Sequence, residues 1–199
     1  MNFNKSYSVE FYFFTNDINE LISKNIIKFN NIALIYEKSN FETKKLLKIK
    51  KFCDQQNIKF YIIDNFIAAI KFGLDGVVLS NNNKRIIYFN NPLNIKKNFE
   101  IIGKAYNQKE FFIKSRQNCK KIILSPIFGN KKYSLNNILG VQKFNLLTLG
   151  WNKEIIALGG INSSNLKRIY QTKSSAVGFI SFIYDPKIKK PVYFKSRRA

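Results

Sequence analysis

The sequence predicts a (β/α)8 barrel, an α/β fold, with its last helix shortened or missing. Three observations carry that expectation. Short apolar runs alternate with amphipathic segments along the 199 residues, the rhythm of βα units on a parallel sheet. Eight such runs occur. Each is apolar almost throughout, as a strand must be when helices cover one face and a barrel interior the other.

Taken in order, the first strand is VEFYFFT (9–15), and Asp17 is placed to cap a helix through DINELISKNIIKF,. NIALIYEK (31–38) is the second strand. In the helix ETKKLLKIKKFCDQQN, Leu46, Ile49 and Cys53 recur at helical spacing and lysines fill the opposite face,. KFYIID (59–64) is the third strand, followed by a short helix FIAAIKFG closed by Gly73,. DGVVLS (75–80) is the fourth strand, and the irregular run 81–98 follows it. FEIIGKA (99–105), the helix QKEFFIKSRQN and the strand KKIILSPIF (120–128) come next. The segment SLNNILGVQKFNLLTLGWN then leads to the seventh strand, EIIALGGI (154–161). Ser163 or Ser164 is the expected cap of NLKRIYQTK, and SAVGFISFI (175–183) is the eighth strand. The closing DPKIKKPVYFKSRRA is too short and too interrupted by Pro for a full helix,. The expected organisation is one domain over 1–199, with 183–199 as a basic tail. A thin cover beside that tail invites a second copy of the chain, a homodimer.

Composition excludes several classes. There is no His among the 199 residues, which removes Ser-His and Cys-His nucleophile pairs and the commonest zinc ligand. Cys53 and Cys119 are far apart, lack CxxC spacing and fall in core-facing segments, so no disulfide framework is expected and a reducing compartment fits,. No apolar run approaches the ~18 residues of a membrane span, and the N-terminus lacks a signal-peptide core. The expectation is a cytoplasmic protein with no membrane partner. The 34 Lys and Arg against 12 Asp and Glu, a formal +22, raise nucleic acid as a partner. The basic residues are spread over the whole chain, and Phe and Tyr sit in strand-like runs, so a compositional bias explains them better. A positive field of that size favours phosphorylated ligands either way.

In barrels of this kind the chemistry sits at the C-terminal ends of the strands, and a phosphate often binds after strands seven and eight. Those positions are Gly159-Gly160 and Ile180-Ser181. Two glycines permit close approach of backbone N–H groups to an anion, or merely a tight turn.

IALGGINSSNLKRI, VGFISFIYD, ILSPIFGN, FEIIGKAYNQKEF, KFYIIDNFIAAIKFGLDGVVLS and ALIYEK resemble, in order and spacing, the motifs of the thiamine-phosphate synthase/TenI family. The resemblance implies a barrel that joins hydroxymethylpyrimidine diphosphate to a thiazole phosphate, with Mg2+ and basic residues assisting loss of pyrophosphate. TenI-like members bind similar phosphates without that coupling. Against the family's pattern, Leu34 and Tyr36 stand for a Gln and an Arg, while Lys38 remains. Its Asn-Asp pair reads Asp64-Asn65, so Asn65 falls on a metal-binding Asp, and Asn83 falls on a second. Ala105 replaces a Ser. After SPIF, Asn130 stands near the substrate and Lys132 offers the missing cation one position early. Gly159, Gly160, Ile180 and Ser181 match as the phosphate limb. The resemblance thus implies Lys38 and Lys132 as catalytic, Asp64, Asn65 and Asn130 as substrate-binding, and Asp64, Asn65 and Asn83 as a degenerate Mg2+ set. Coupling weakened by those replacements is the leading expectation. A non-coupling TenI-like barrel and a basic nucleic-acid-binding protein are the alternatives.

Overall fold

A computed structural model describes residues 10–86, 95–129 and 137–185. Eight parallel strands close into a barrel in sequence order. They are β1 (Glu10–Thr15), β2 (Ile32–Tyr36), β3 (Lys59–Ile63), β4 (Gly76–Leu79), β5 (Glu100–Ala105), β6 (Lys121–Leu124), β7 (Glu154–Leu158) and β8 (Ala176–Phe179). Closure is direct: β1 pairs with β8 from Glu10↔Ala176 to Phe13↔Phe179.

Around the strands lie α1 (Glu20–Ile26), α2 (Thr43–Gln55), α3 (Phe66–Lys71), α4 (Gln108–Arg116) and α5 (Gly140–Leu147). After β7 the chain makes a 3-10 helix, Leu166–Gln171, rather than an α-helix. After β8 it makes one 3-10 turn, Phe182–Tyr184. Asn25 of α1 donates to the Ile183 carbonyl at 2.9 Å and ties that turn to the barrel. The eighth helix is thus reduced across the described residues, and 186–199 of the basic tail lie outside them.

Two local expectations are corrected. Asn19, not Asp17, caps α1 by accepting from the Ile22 N–H at 2.9 Å. Asp17 accepts instead from the adjacent Ile18 N–H, so its carboxylate shapes the approach to the helix. The run after β7 is organised by Asn162, which accepts from the Ser164 and Asn165 N–H groups; Ser163 and Ser164 do not cap it. Both cases set short polar side chains side by side, and the backbone selects the one whose oxygen reaches the N–H three residues on,.

Strand alternation sorts the core into two layers. Tyr12 and Phe14 of β1, Ala33 and Ile35 of β2, Tyr61, Val78, Ile102, Ile123, Ile156 and Ala176 fill the barrel interior. The alternate positions, among them Phe11, Phe13, Leu34 and Tyr36, pack outward with Leu46, Ile49 and Cys53 of α2 and with Phe111 and Phe144. Cys53 and Cys119 are both buried thiols, and burial pushes Cys119 up to about 11.

The N-terminal end of the barrel is closed by a polar plug. Tyr12 donates to Glu10 at 2.6 Å and Tyr61 to Glu100 at 2.7 Å. Lys121 reaches inward to the Glu10 carboxylate and to the Tyr12 oxygen at 2.7 Å. Burial and the neighbouring carboxylates hold both phenols far above their ordinary pKa. At Glu100 burial acts the other way, but the Tyr61 hydroxyl and the ammonium groups of Lys121 and Lys59 prevail and hold it below the usual carboxylate value.

Candidate active site

The mouth at the C-terminal ends of the strands has two limbs. In the first, β7 pairs with β8 as far as Leu158↔Gly178, and Gly159-Gly160 and Ile180-Ser181 follow directly beyond the ends of the two strands. Gly159 and Gly160 adopt φ of +101° and +66°. A Cβ on Gly160 would lie 2.3 Å from the Phe128 carbonyl oxygen, and one on Gly159 2.8 Å from Pro126. Only glycine fits, because this turn lies directly against the segment after β6. The Phe128 N–H donates to the Gly159 oxygen at 3.0 Å. Asn165 then clamps the turn, donating to the Gly160 oxygen at 2.8 Å and accepting from the Asn162 N–H at 2.9 Å. Its place in the GGINSSN run was visible in the sequence; its role as a clamp was not. The tight turn is therefore a structural requirement, and it leaves the glycines half-buried and Ser181 exposed on the rim.

The second limb spans β3 to β5. The third strand stops at Ile63, because Asp64 takes a left-handed φ of +52°. Asp64 Oδ1 accepts from the Ser80 N–H at 3.0 Å and from Asn83 Nδ2 at 2.8 Å. The chain thus brings Asp64 and Asn83 together. It turns Asn65 aside: this residue caps α3 through the Ala68 N–H at 2.9 Å and donates to the Ser39 carbonyl at 3.2 Å.

Beneath this loop lies a fully buried lysine. Lys114 of α4 sends Nζ to the carbonyl oxygens of Ser80 and Asn83, each at 2.5 Å. Its stem crosses β5 at Gly103, where a Cβ would lie 2.7 Å from the Lys114 Cβ and Cγ. Gln117, one turn further, donates to the carbonyls of Asn83 and Arg85. Burial lowers the Lys114 pKa from its ordinary value, against an opposing pull from Asp64 and other acidic groups. Sequence reasoning missed this residue, although it shares the buried face of α4 with Phe111 three positions earlier.

The remaining candidates divide. Leu34 and Tyr36 pack outward among the helices, so they do not stand where substrate contacts would be; Ala33 and Ile35 hold the inner face. A strand's period of two makes that difference absolute. Ala105 also faces outward. Lys38 is exposed just beyond β2. Asn130 and Lys132 lie outside the described residues.

The donor set does not fit a resident Mg2+, which takes a near-octahedral shell of charged oxygens and water. Asp64 is the one carboxylate, and its Oδ1 already accepts two hydrogen bonds. The amide oxygens of Asn65 and Asn83 accept from the N–H groups of Ala68 and Arg85. Among the described residues no group of three or more His, Cys, Asp or Glu could hold a metal ion. No helix there is long and apolar enough to cross a membrane.

Comparison with known proteins agrees with this geometry. The family model "Thiamine monophosphate synthase" matches residues 33–183. A thiamine-phosphate synthase of Flavobacterium psychrophilum is 30% identical over 131 residues, 62% of this chain and 62% of the relative. One from Prochlorococcus marinus is 29% identical over 143 residues, 71% of this chain and 40% of the relative. The match therefore spans less than two thirds of the length of these relatives. A third, from Pelagibacter ubique, is 28% identical over 200 residues, 95% of this chain and 89% of the relative. Among solved structures, a thiamine phosphate pyrophosphorylase from Pyrococcus furiosus superposes with a TM-score of 0.68 at 17% identity, covering 87% of this chain and 86% of the other. The citrate synthase SbnG superposes with 0.61 at 9% identity, covering 88% of each chain. Likeness at such identities speaks for the barrel alone.

Proposed function

Because the chain belongs to the thiamine monophosphate synthase family, we propose that it joins hydroxymethylpyrimidine diphosphate to a thiazole phosphate. In that reaction the C–O bond to the diphosphate breaks. The thiazole nitrogen lone pair forms the new C–N bond, and pyrophosphate leaves. The observation that carries the reading is the β7–β8 limb. Gly159-Gly160 and Ile180-Ser181 follow the paired ends of β7 and β8, and Asn165 fixes the glycine turn. Backbone N–H groups at such a turn suit a phosphate, here assigned as that of the thiazole. Lys38, on the rim, and Lys132 are assigned to neutralising the diphosphate, with Asn130 beside the substrate. Departing charge stabilised by fixed cations is the usual source of rate in such steps.

The engaged state of Asp64, Asn65 and Asn83 favours weak coupling with little response to Mg2+. It equally favours a second reading, a TenI-like barrel that holds a phosphorylated ligand without coupling. Formation of thiamine phosphate from the two substrates, with Mg2+ and after chelation, separates them. The expected result is slow turnover that changes less than about tenfold on chelation. Fast, fully Mg2+-dependent turnover overturns the weak-coupling reading. Undetectable product together with retained thiazole phosphate binding selects the non-coupling barrel.

A further inference from the structure

One lysine enters the barrel interior at the mouth. β5 lies four strands from β1 around the closed sheet, so these two strands face each other across the interior. Lys104 lies two residues beyond Ile102, an interior residue of β5, and shares its inward face. Its Nζ reaches to 5.9 Å from the centre of the Phe14 ring on β1 and 5.5 Å from that of Tyr106. The side chain therefore spans the mouth, with its ammonium over the top interior layer. Lys104 is half-buried and makes no ion pair among the described residues, whereas Lys121 and Lys59 at the opposite end both meet carboxylates.

A second, independent observation lies on the neighbouring strand. Ser125 continues the inward face of Ile123, is buried, and its Oγ has no hydrogen-bond partner. That hydroxyl lies 3.2 Å from where a Cβ on Gly159 would be, which places it between the axis and the phosphate limb. A buried hydroxyl left without a partner is unfavourable unless a ligand supplies one.

We infer that Lys104 and Ser125 form an anion subsite at the barrel axis that takes a diphosphate group, separate from the β7–β8 limb. The assignment rests on the reading that phosphorylated substrates bind at this end. The aromatic faces of Phe14 and Tyr106 hold the ammonium without neutralising it. Its charge is therefore kept for an incoming anion, and an inward lysine on β5 supplies what Leu34 and Tyr36, turned outward, do not.

The test is pyrophosphate binding by isothermal titration calorimetry, with inorganic phosphate as the second probe. Wild type is compared with Lys104→Met, Lys104→Arg, Ser125→Gly and Lys71→Met. Lys71 is the control because its ammonium likewise lies over a ring, 5.6 Å from Phe72, but on the exposed surface. Pyrophosphate affinity is expected to fall at least tenfold in Lys104→Met and severalfold in Ser125→Gly. Lys104→Arg should restore most of it, and Lys71→Met should change nothing. Inorganic phosphate, held at the β7–β8 limb, should bind all five proteins alike. Equal pyrophosphate binding by wild type and Lys104→Met, or an equal loss in Lys71→Met, overturns the subsite. Thermal unfolding of each variant shows whether it is folded; should Lys104→Met not fold, Lys104→Gln takes its place in the same comparison. Pyrophosphate binding that depends on Lys104, without any thiamine phosphate formed, would leave the subsite standing and remove only the coupling reading.

Discussion

The two ends of the barrel treat lysine in opposite ways. At the N-terminal end Lys121 and Lys59 are surrounded by Glu10, Glu100 and Glu154, and two phenols complete the plug. At the mouth Lys114 is bonded to neutral carbonyls and Lys104 lies over aromatic rings. At one end positive charge is neutralised by carboxylates; at the other, Lys114 and Lys104 form no ion pair among the described residues. Net charge, +22 over the whole chain, hides this asymmetry. What separates a stability element from a binding element here is the partner of each ammonium, not the number of ammonium groups.

Three substitutions sharpen or break the comparison. The largest effect is expected at the plug. Among the described residues, Lys121→Met leaves Glu10 and Glu100, largely buried, with only the more distant Lys59 at 3.9 and 3.5 Å, which should cost about 3 kcal/mol of stability. Chemical denaturation reads that loss, while thiamine phosphate formation per folded molecule should stay at the wild-type rate. A variant as stable as wild type would show the plug to be dispensable. A smaller loss is expected from Lys114→Met, which keeps the apolar stem but leaves two buried carbonyls unbonded, at roughly 1–3 kcal/mol. Amide hydrogen exchange should quicken at Ser80 and Arg85, whose N–H groups bond to Asp64 and Asn83. Unchanged exchange there would mean that Asp64 holds the loop alone. The smallest structural effect is expected at Ser181→Asp on the exposed rim. Stability should move by less than about 0.5 kcal/mol, while the added negative charge should weaken inorganic phosphate binding about tenfold. Wild-type phosphate affinity would place that anion away from the β7–β8 limb.

The barrel was legible because its signals are repeated. Eight apolar runs each report a strand covered on both faces, and an error in one boundary leaves the count intact. The third strand shows the limit: Asp64 continues the run by position, but its left-handed backbone ends the strand. The tight turn after β7 was legible because Gly159 and Gly160 can do what no other residue can. The second limb was not. Which way Leu34 and Tyr36 point depends on a parity of one residue, and aligning ALIYEK with a motif does not fix that parity. Lys104 and Lys114 were hidden among 34 basic residues, although each carried a sign. Lys104 interrupts an otherwise apolar strand, and Lys114 lies one helical turn from Phe111 on α4. A charge at a position where the periodicity demands an apolar side chain is more informative than any total of charges.

The passage of Lys114 across β5 also has an evolutionary consequence. Glycine at position 103 leaves a gap on β5 that the Lys114 stem fills. With the stem in place, even alanine at 103 meets atoms at 2.7 Å, and a shorter apolar side chain at 114 would leave the carbonyls of Ser80 and Asn83 without the Lys114 ammonium. Neither position can then change alone, and the two should be lost or kept as a pair among descendants of this chain. The space on one element and the side chain on the other form a single lock.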